Sequence, residues 1–387
     1  MSHVRTGAER LANDPGLLPG GRIGLITNPT GVLPDLTPTA TALVAAGVPL
    51  TALFGPEHGI HGTAQAGFGE DAGVDPATGL PVLDTYGRSG DALDALVAAS
   101  GVDTLVFDIA DVGTRFYTFV WTMHDLMASA SRLGVRFAVL DRPNPLGGTR
   151  AEGPALDPAC ASFVGRAPVP IRHGLTMGEL ALLLNESIGA DLTVVVMEGW
   201  RRSMRFAATG LPWIMPSVNM PTPTTALVYP GTGLVEGTTA SEGRGTTRPF
   251  ELVGAPWLDG GFAAELNGLG LPGVRFRDTW FTPAFHKHAG TPVRGVQVHV
   301  TDAEAFQPVL TGVSILYLLR ARRPDEFAWT TADPAGTGVE GGRNYIDLLW
   351  GSPSLRERMD AGKDPRDLCP SPGHPESWLY GGKLLYP

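Results

Sequence analysis

Between residues 22 and 198, short apolar runs alternate with longer stretches in which apolar residues recur every three or four positions. "RIGLITN" (22–28), "PLTALF" (49–54), "DTLVFDI" (103–109), "RFAVLD" (136–141) and "DLTVVVME" (191–198) are compact and rich in Val, Ile, Leu and Phe, as strands buried on both faces are. Between and after them, "TPTATALVAAG" (37–47), "GDALDALVAAS" (90–100), "TFVWTMHDLMASASRLG" (118–134) and "TMGELALLLNESIG" (176–189) carry helical spacing. This βα alternation predicts an α/β fold: a Rossmann-like, mostly parallel sheet with helices on both faces. Residues 199–260 lose periodicity and fill with Gly, Pro and Thr, which reads as an irregular wall or connection. Pattern resumes with a helix in "GFAAELNGLG" (261–270), strands in "GVRFRDTWF" (273–281) and "RGVQVHVTD" (294–302), and a helix in "AFQPVLTGVSILYLLRARRP" (305–324). "NYIDLLWGSPSLRERMDAG" (344–362) reads as two short helices. The expected division is an N-terminal domain over 1–235 and a smaller C-terminal α+β domain over 236–387, with a cleft between them.

Composition narrows the function classes. The 387-residue chain is 43% hydrophobic and 18% charged, with 51 Gly and 34 Pro in no collagen-like period, which suits a globular enzyme with functional loops. A net charge of −10 and the absence of a basic stripe argue against nucleic acid or a membrane surface as partner. The first residues lack the apolar core of a signal peptide, and "ALVAAGVPLTALF" is broken by Gly47 and Pro49. The expectation is a cytoplasmic protein. Cys160 and Cys369 fit no metal-ligand spacing and read as free thiols.

Candidate chemistry gathers where the strands end. Asn28-Pro29-Thr30-Gly31, Gly55-Pro56-Glu57-His58-Gly59, "ADVGTRFYTF" (110–119) and Arg142-Pro143-Asn144-Pro145 each follow a strand. In a parallel sheet these turns share the carboxyl edge, where ligands bind. Asp108 and Asp141 serve equally well as caps or as partners of nearby arginines. Glu57 stands out because no turn needs a carboxylate between proline and histidine. His58 and His61 raise a metal-dependent hydrolase as an alternative, although HxxH on a loop is a weak signal and HExxH is absent. A second cluster, Asn219, Glu236, Glu242, Arg244 and Arg248, lies in the glycine-rich stretch. "GTGLVEG" lacks the dinucleotide-binding spacing, and neither a P-loop nor a GxSxG elbow is present. Glutamates from two segments suit acid/base chemistry such as glycoside hydrolysis; a carboxylate-rich binding protein without turnover is the competing class.

The ordered set "GLITNPTGV", "LFGPEHGIHG", "TGLPVLDTYG", "FDIADVGTRFYTF", "LDRPNPLGG", "PIRHGLTMGELA", "NMPTP", "YPGTGLVEGTTASEGRGTTRPFE" and "GVQVHVTD" resembles the NamZ-type exo-β-N-acetylmuramidases, from about residue 20 to the C-terminus. The resemblance implies release of terminal N-acetylmuramic acid (MurNAc) from β-1,4-linked fragments such as MurNAc-GlcNAc, without metal or other cofactor. It implies Glu57 as catalytic acid/base, and Glu236 or Glu242 as second carboxylate or sugar contact. His58, Asp108, Arg115, Tyr117, Asn219 and Arg244 are implied substrate contacts, with Arg244 or Arg115 suited to the lactyl carboxylate. The muramic-acid saccharide is the one partner implied; oligomeric state is left open. "PSV" stands before "NMPTP" where the family pattern has "PSP".

Overall fold

A computed structural model describes residues 3–331, 342–379 and 384–387. Seven strands build the main sheet: β1 (Ile23–Thr27), β2 (Leu50–Gly55), β3 (Gly73–Val74), β4 (Pro81–Asp84), β5 (Thr104–Asp108), β6 (Arg136–Leu140) and, after a two-stranded ribbon of β7 (Glu152–Ala155) and β8 (Pro170–Arg172), β9 (Leu192–Val195). Their order is β3-β4-β2-β1-β5-β6-β9, with every pairing parallel except β3–β4. The two-residue alternation of strand side chains feeds two cores. Leu105, Phe107, Phe137 and Val139 pack on one face against the helices Gly90–Ser100, Phe119–Leu133 and Met177–Ile188. Val106, Ala138 and Leu140 pack on the other with Ala8, Leu11 and Leu43 from the helices Gly7–Asn13 and Thr39–Ala45. The mostly parallel, doubly covered sheet is the α/β architecture that the sequence pattern predicts.

The smaller unit is an antiparallel sheet in the order β10-β12-β11, from β10 (Leu252–Ala255), β11 (Val274–Phe281) and β12 (Val293–Val300). The helices Phe262–Gly268 and Pro308–Arg322 contribute its core residues, among them Phe262, Leu266, Val313 and Leu316.

The 199–260 stretch is more regular than its composition predicts. It holds the helix Pro223–Thr232 as well as β10. Thr222 caps that helix by accepting from the Thr225 amide, and Pro223 occupies its first turn, where a missing N–H costs nothing. Pro230 and Gly231 near its end hide the helical period. Gly231 instead serves a close crossing: a Cβ there would sit 1.8 Å from the Pro308 carbonyl oxygen, and one on Gly312 would sit 2.2 Å from the Gly231 oxygen. The crossing aims the end of the helix, and the 3₁₀ turn Gly233–Gly237 that continues it, at the carboxyl edge of the main sheet. The N-terminal helix Gly7–Asn13 is a further element that the sequence pattern does not predict. Among the described residues no helix is long and apolar enough to cross a membrane.

Candidate active site

One pocket unites the two glutamate segments. Glu57, His58, Tyr117, Asn219, Glu236 and Arg244 all line it, with Phe116, Thr118, Ser217, Tyr229, Phe250 and Tyr345. It encloses about 520 Å³ including its open mouth, within the usual range for a small-ligand site. Four of its aromatic rings meet edge to face: Phe116 on Tyr229, Tyr117 on Tyr229, and Tyr229 on Phe250 at centroid separations of 5.2, 5.7 and 4.6 Å.

Glu57 leaves β2 through a tight turn in which the Gly59 amide bonds the Pro56 carbonyl at 2.9 Å. Its carboxylate is locked from both sides: the Gly67 amide donates to Oε1 at 2.7 Å and the Thr118 hydroxyl to Oε2 at 2.5 Å. His58 adopts the left-handed backbone at φ +71°, which costs energy for a non-glycine residue and persists where surroundings enforce it. Its Nδ1 lies 2.8 Å from the Ala64 carbonyl. A carbonyl only accepts, so Nδ1 is the donor in this contact. The loop that delivers Gly67 is clasped by Glu70, which accepts from the amides of His61 and Thr63 and from the Thr63 hydroxyl. His61 belongs to this clasp, its Nδ1 3.0 Å from Glu70, and is half-exposed. The two histidines therefore diverge. Among the described residues no three His, Cys, Asp or Glu side chains stand together as a metal-ligand set, so the donor geometry gives the metal-hydrolase alternative no support.

Glu236 enters from the 3₁₀ turn and takes both Nε and Nη2 of Arg244 on Oε1, at 3.0 and 2.7 Å. Arg244 also lies over the Phe250 ring, 5.0 Å from its centroid. Burial pushes the Glu236 carboxyl above its ordinary range; Arg244 opposes the shift and the nearby Glu242 charge adds to it. Glu242 goes the other way. Burial alone would raise it, yet Lys287, then His286 and Arg244, hold it well below the usual carboxylate range. Glu242 is fully buried behind the pocket, 3.0 Å from the Lys287 ammonium and 3.1 Å from His286 Nδ1. The same ammonium donates to the carbonyls of Val235, Glu236 and Ala240. Glu242 and Lys287 thus pin the turn that carries Glu236, and Glu242 is a buried anchor rather than a pocket-lining group.

Tyr117 donates its hydroxyl to Ser217 at 2.9 Å, and burial raises its phenol well above the ordinary range. Asn219 is buried and its Nδ2 has no partner among the described residues, an unmet donor in the pocket wall that a ligand oxygen would satisfy.

Two expected contacts lie elsewhere. Asp108 is fully buried and holds the Arg142 guanidinium with both oxygens, at 2.6 and 2.9 Å. Arg142 lines a separate, mostly apolar hollow on the same rim, with Asp111, several prolines and Trp213. Arg115 is also fully buried: its Nη1 donates to the carbonyls of Pro154 and Val169 and its Nη2 to that of Leu349. With its ring of carbonyl acceptors, Arg115 braces three segments and has no arm in the pocket. Thr118, Ser217, Tyr229, Phe250, Tyr345 and Lys287 were not singled out in the sequence. Thr118 lies beside Tyr117 in "RFYTF", but only the fold shows that its hydroxyl meets Glu57.

Comparison with known proteins identifies the family of the chain. Residues 23–224 match the family model for the N-terminal part of exo-beta-N-acetylmuramidase NamZ, and residues 227–372 match that for its C-terminal part. The peptidoglycan beta-N-acetylmuramidase NamZ of Bacillus subtilis is 51% identical over 373 residues, which cover 95% of this chain and 87% of that protein. A crystal structure of a DUF1343 family protein from Bacteroides fragilis superposes with a TM-score of 0.83 at 36% identity, covering 95% of this chain and 94% of that one. A second from the same organism gives 0.72 at 27% identity over 100% and 99%. Matched along almost its whole length, the chain belongs to the exo-β-N-acetylmuramidase NamZ family.

Proposed function

We propose that the protein is an exo-acting glycosidase that removes terminal MurNAc from β-1,4-linked peptidoglycan fragments such as MurNAc-GlcNAc, using Glu57 and Glu236. Family membership supports the reaction class. One observation carries the assignment of residues: two glutamates from opposite halves of the chain line one pocket with an arginine and an unpaired buried amide.

Glu57 is the acid/base. Thr118 and Gly67 fix its carboxyl, so that proton delivery to the glycosidic oxygen needs little reorganisation. Glu236 faces the sugar ring. As the bond breaks, positive charge develops at the anomeric carbon, and a buried carboxylate attracts that charge more strongly than it does the neutral ground state. Two of the Arg244 nitrogens serve Glu236, and no partner is found for Nη1 among the described residues. That arm meets the lactyl carboxylate, which is what separates MurNAc from GlcNAc. Asn219 Nδ2 donates to a sugar oxygen, and the Tyr229–Phe250 wall supports the ring face.

The test is incubation with MurNAc-GlcNAc beside GlcNAc-GlcNAc, with product separation. Free MurNAc from the first and no cleavage of the second is the expected outcome. Binding of MurNAc-GlcNAc without turnover would favour a sugar-binding protein instead.

A further inference from the structure

Beside the catalytic pocket, on the same edge of the sheet, lies a larger cleft of about 1200 Å³ of open volume. Its walls continue those of the pocket. Thr118 lines the pocket and Thr122, one turn later on the same helix, lines the cleft. Val164 and Tyr345 face the pocket, while Phe163 and Arg343 face the cleft. The turn leaving β4, with Arg88, closes the far side.

The cleft is basic in a chain whose net charge is −10. Arg88, Arg166 and Arg343 line it against one acid, Asp125. That acid is already engaged, 2.7 Å from Arg166 Nη2 and 2.9 Å from His124. Arg166 keeps a buried Nε without a partner among the described residues. Arg343 is oriented by the carbonyls of Ala161 and Ala159, at 3.2 and 3.3 Å, and Arg88 by that of Asp84 at 3.0 Å. Neither Arg88 nor Arg343 forms a direct ion pair with a carboxylate among the described residues, although the Arg88 charge is felt by Asp84. Planar guanidinium groups held open in this way suit carboxylates. The hollow on the other flank of the pocket offers no such charge, since its Arg142 is bound to Asp108.

We propose that this cleft binds a carboxylate on the leaving-group side of the scissile bond, so that Arg88 and Arg343 favour fragments longer than a disaccharide. The proposal rests on the glycosidase reading above and extends it to the substrate beyond the bond that is cut. In a peptidoglycan strand the next carboxylate belongs either to the lactyl group of the following muramic acid or to a peptide attached there.

Three substrates distinguish these sources: MurNAc-GlcNAc, the peptide-free tetrasaccharide of two such units, and that tetrasaccharide bearing stem peptides. The wild type should prefer at least one tetrasaccharide over the disaccharide by about tenfold or more in kcat/KM, the size of one charge-assisted contact. Arg88→Ala and Arg343→Ala should each remove most of that preference and leave disaccharide turnover within about twofold. Loss with the peptide-free substrate identifies the lactyl carboxylate; loss only with the stem-bearing one identifies the peptide. Equal effects on all three substrates, or none on any, overturn the proposal. Calorimetric binding of the same saccharides to Glu57→Gln carrying either arginine substitution asks the question without turnover. If the wild type cleaves nothing, the glycosidase reading fails, and the ratio of tetrasaccharide to disaccharide affinity still decides whether the cleft binds the longer chain.

Discussion

Arg244 spends Nε and Nη2 on Glu236 and its flat face on Phe250, so a substitution there tests specificity and positioning together. Arg244→Lys keeps the charge but loses the fork. We expect kcat/KM on a chromogenic MurNAc β-glycoside to fall about 10- to 100-fold, the worth of one charged hydrogen bond, with a smaller fall on any residual GlcNAc-glycoside activity. An equal fall on both glycosides would place Arg244 outside lactyl recognition. Arg115 shows why a sequence cannot make this distinction. Both arginines occur in loops rich in glycine and threonine. What separates them is distant chain: Leu349 supplies one of the carbonyls that bury Arg115, and Glu236 the carboxylate that turns Arg244 toward the pocket. Glu57 is conspicuous in the sequence because its immediate neighbours give a carboxylate no turn-forming task, and the fold places it in the pocket; Lys287 is not, because its four acceptors are assembled by a loop it meets only in the folded state.

At the scale of elements, the crossing of helices Pro223–Thr232 and Pro308–Arg322 places Glu236. Gly231 and Gly312 let their backbones touch. Gly312→Ala forces a methyl group against the Gly231 backbone, and overpacking of this kind costs about 1–3 kcal/mol. Denaturant unfolding should show that loss, together with a lower kcat, because the shifted helix carries the 3₁₀ turn with it. Unchanged stability would mean that the crossing is looser than it stands here. Compact apolar runs alternating with stretches of helical spacing make the five principal parallel strands and their helices readable, since the strands are buried on both faces and each helix buries one stripe. The Pro223–Thr232 helix is hidden in the sequence because its prolines and glycines serve capping and close approach rather than periodicity.

For the molecule as a whole, Asp141 ties both chain ends to the edge of the sheet. Its backbone carbonyl accepts the Gly7 amide, and its carboxyl accepts from Thr176, Gly178 and Tyr386. Burial raises this carboxyl to about 6, above the ordinary aspartate value of about 3.9 that applies to the unfolded chain. The folded state therefore binds the proton more tightly. The stabilisation is complete below the unfolded value and is lost as pH rises through about 6. Asp141→Asn lacks this titration, so the stability of wild type relative to the variant should fall by up to about 3 kcal/mol between pH 4 and 7. Parallel stability curves would contradict it. The same long-range assembly brings Glu57 and Glu236 together from opposite halves of the chain, and the central claim is that Glu57 is the proton donor across that shared pocket. The most direct measurement compares Glu57→Gln with wild type on MurNAc-GlcNAc, whose leaving sugar needs a proton, and on p-nitrophenyl MurNAc, whose leaving phenol does not. The account predicts that kcat/KM on the disaccharide falls by about 10²–10⁴, far more than on the aryl glycoside, while MurNAc-GlcNAc still binds. An equal loss on both substrates, or near-wild-type cleavage of the disaccharide, would contradict it.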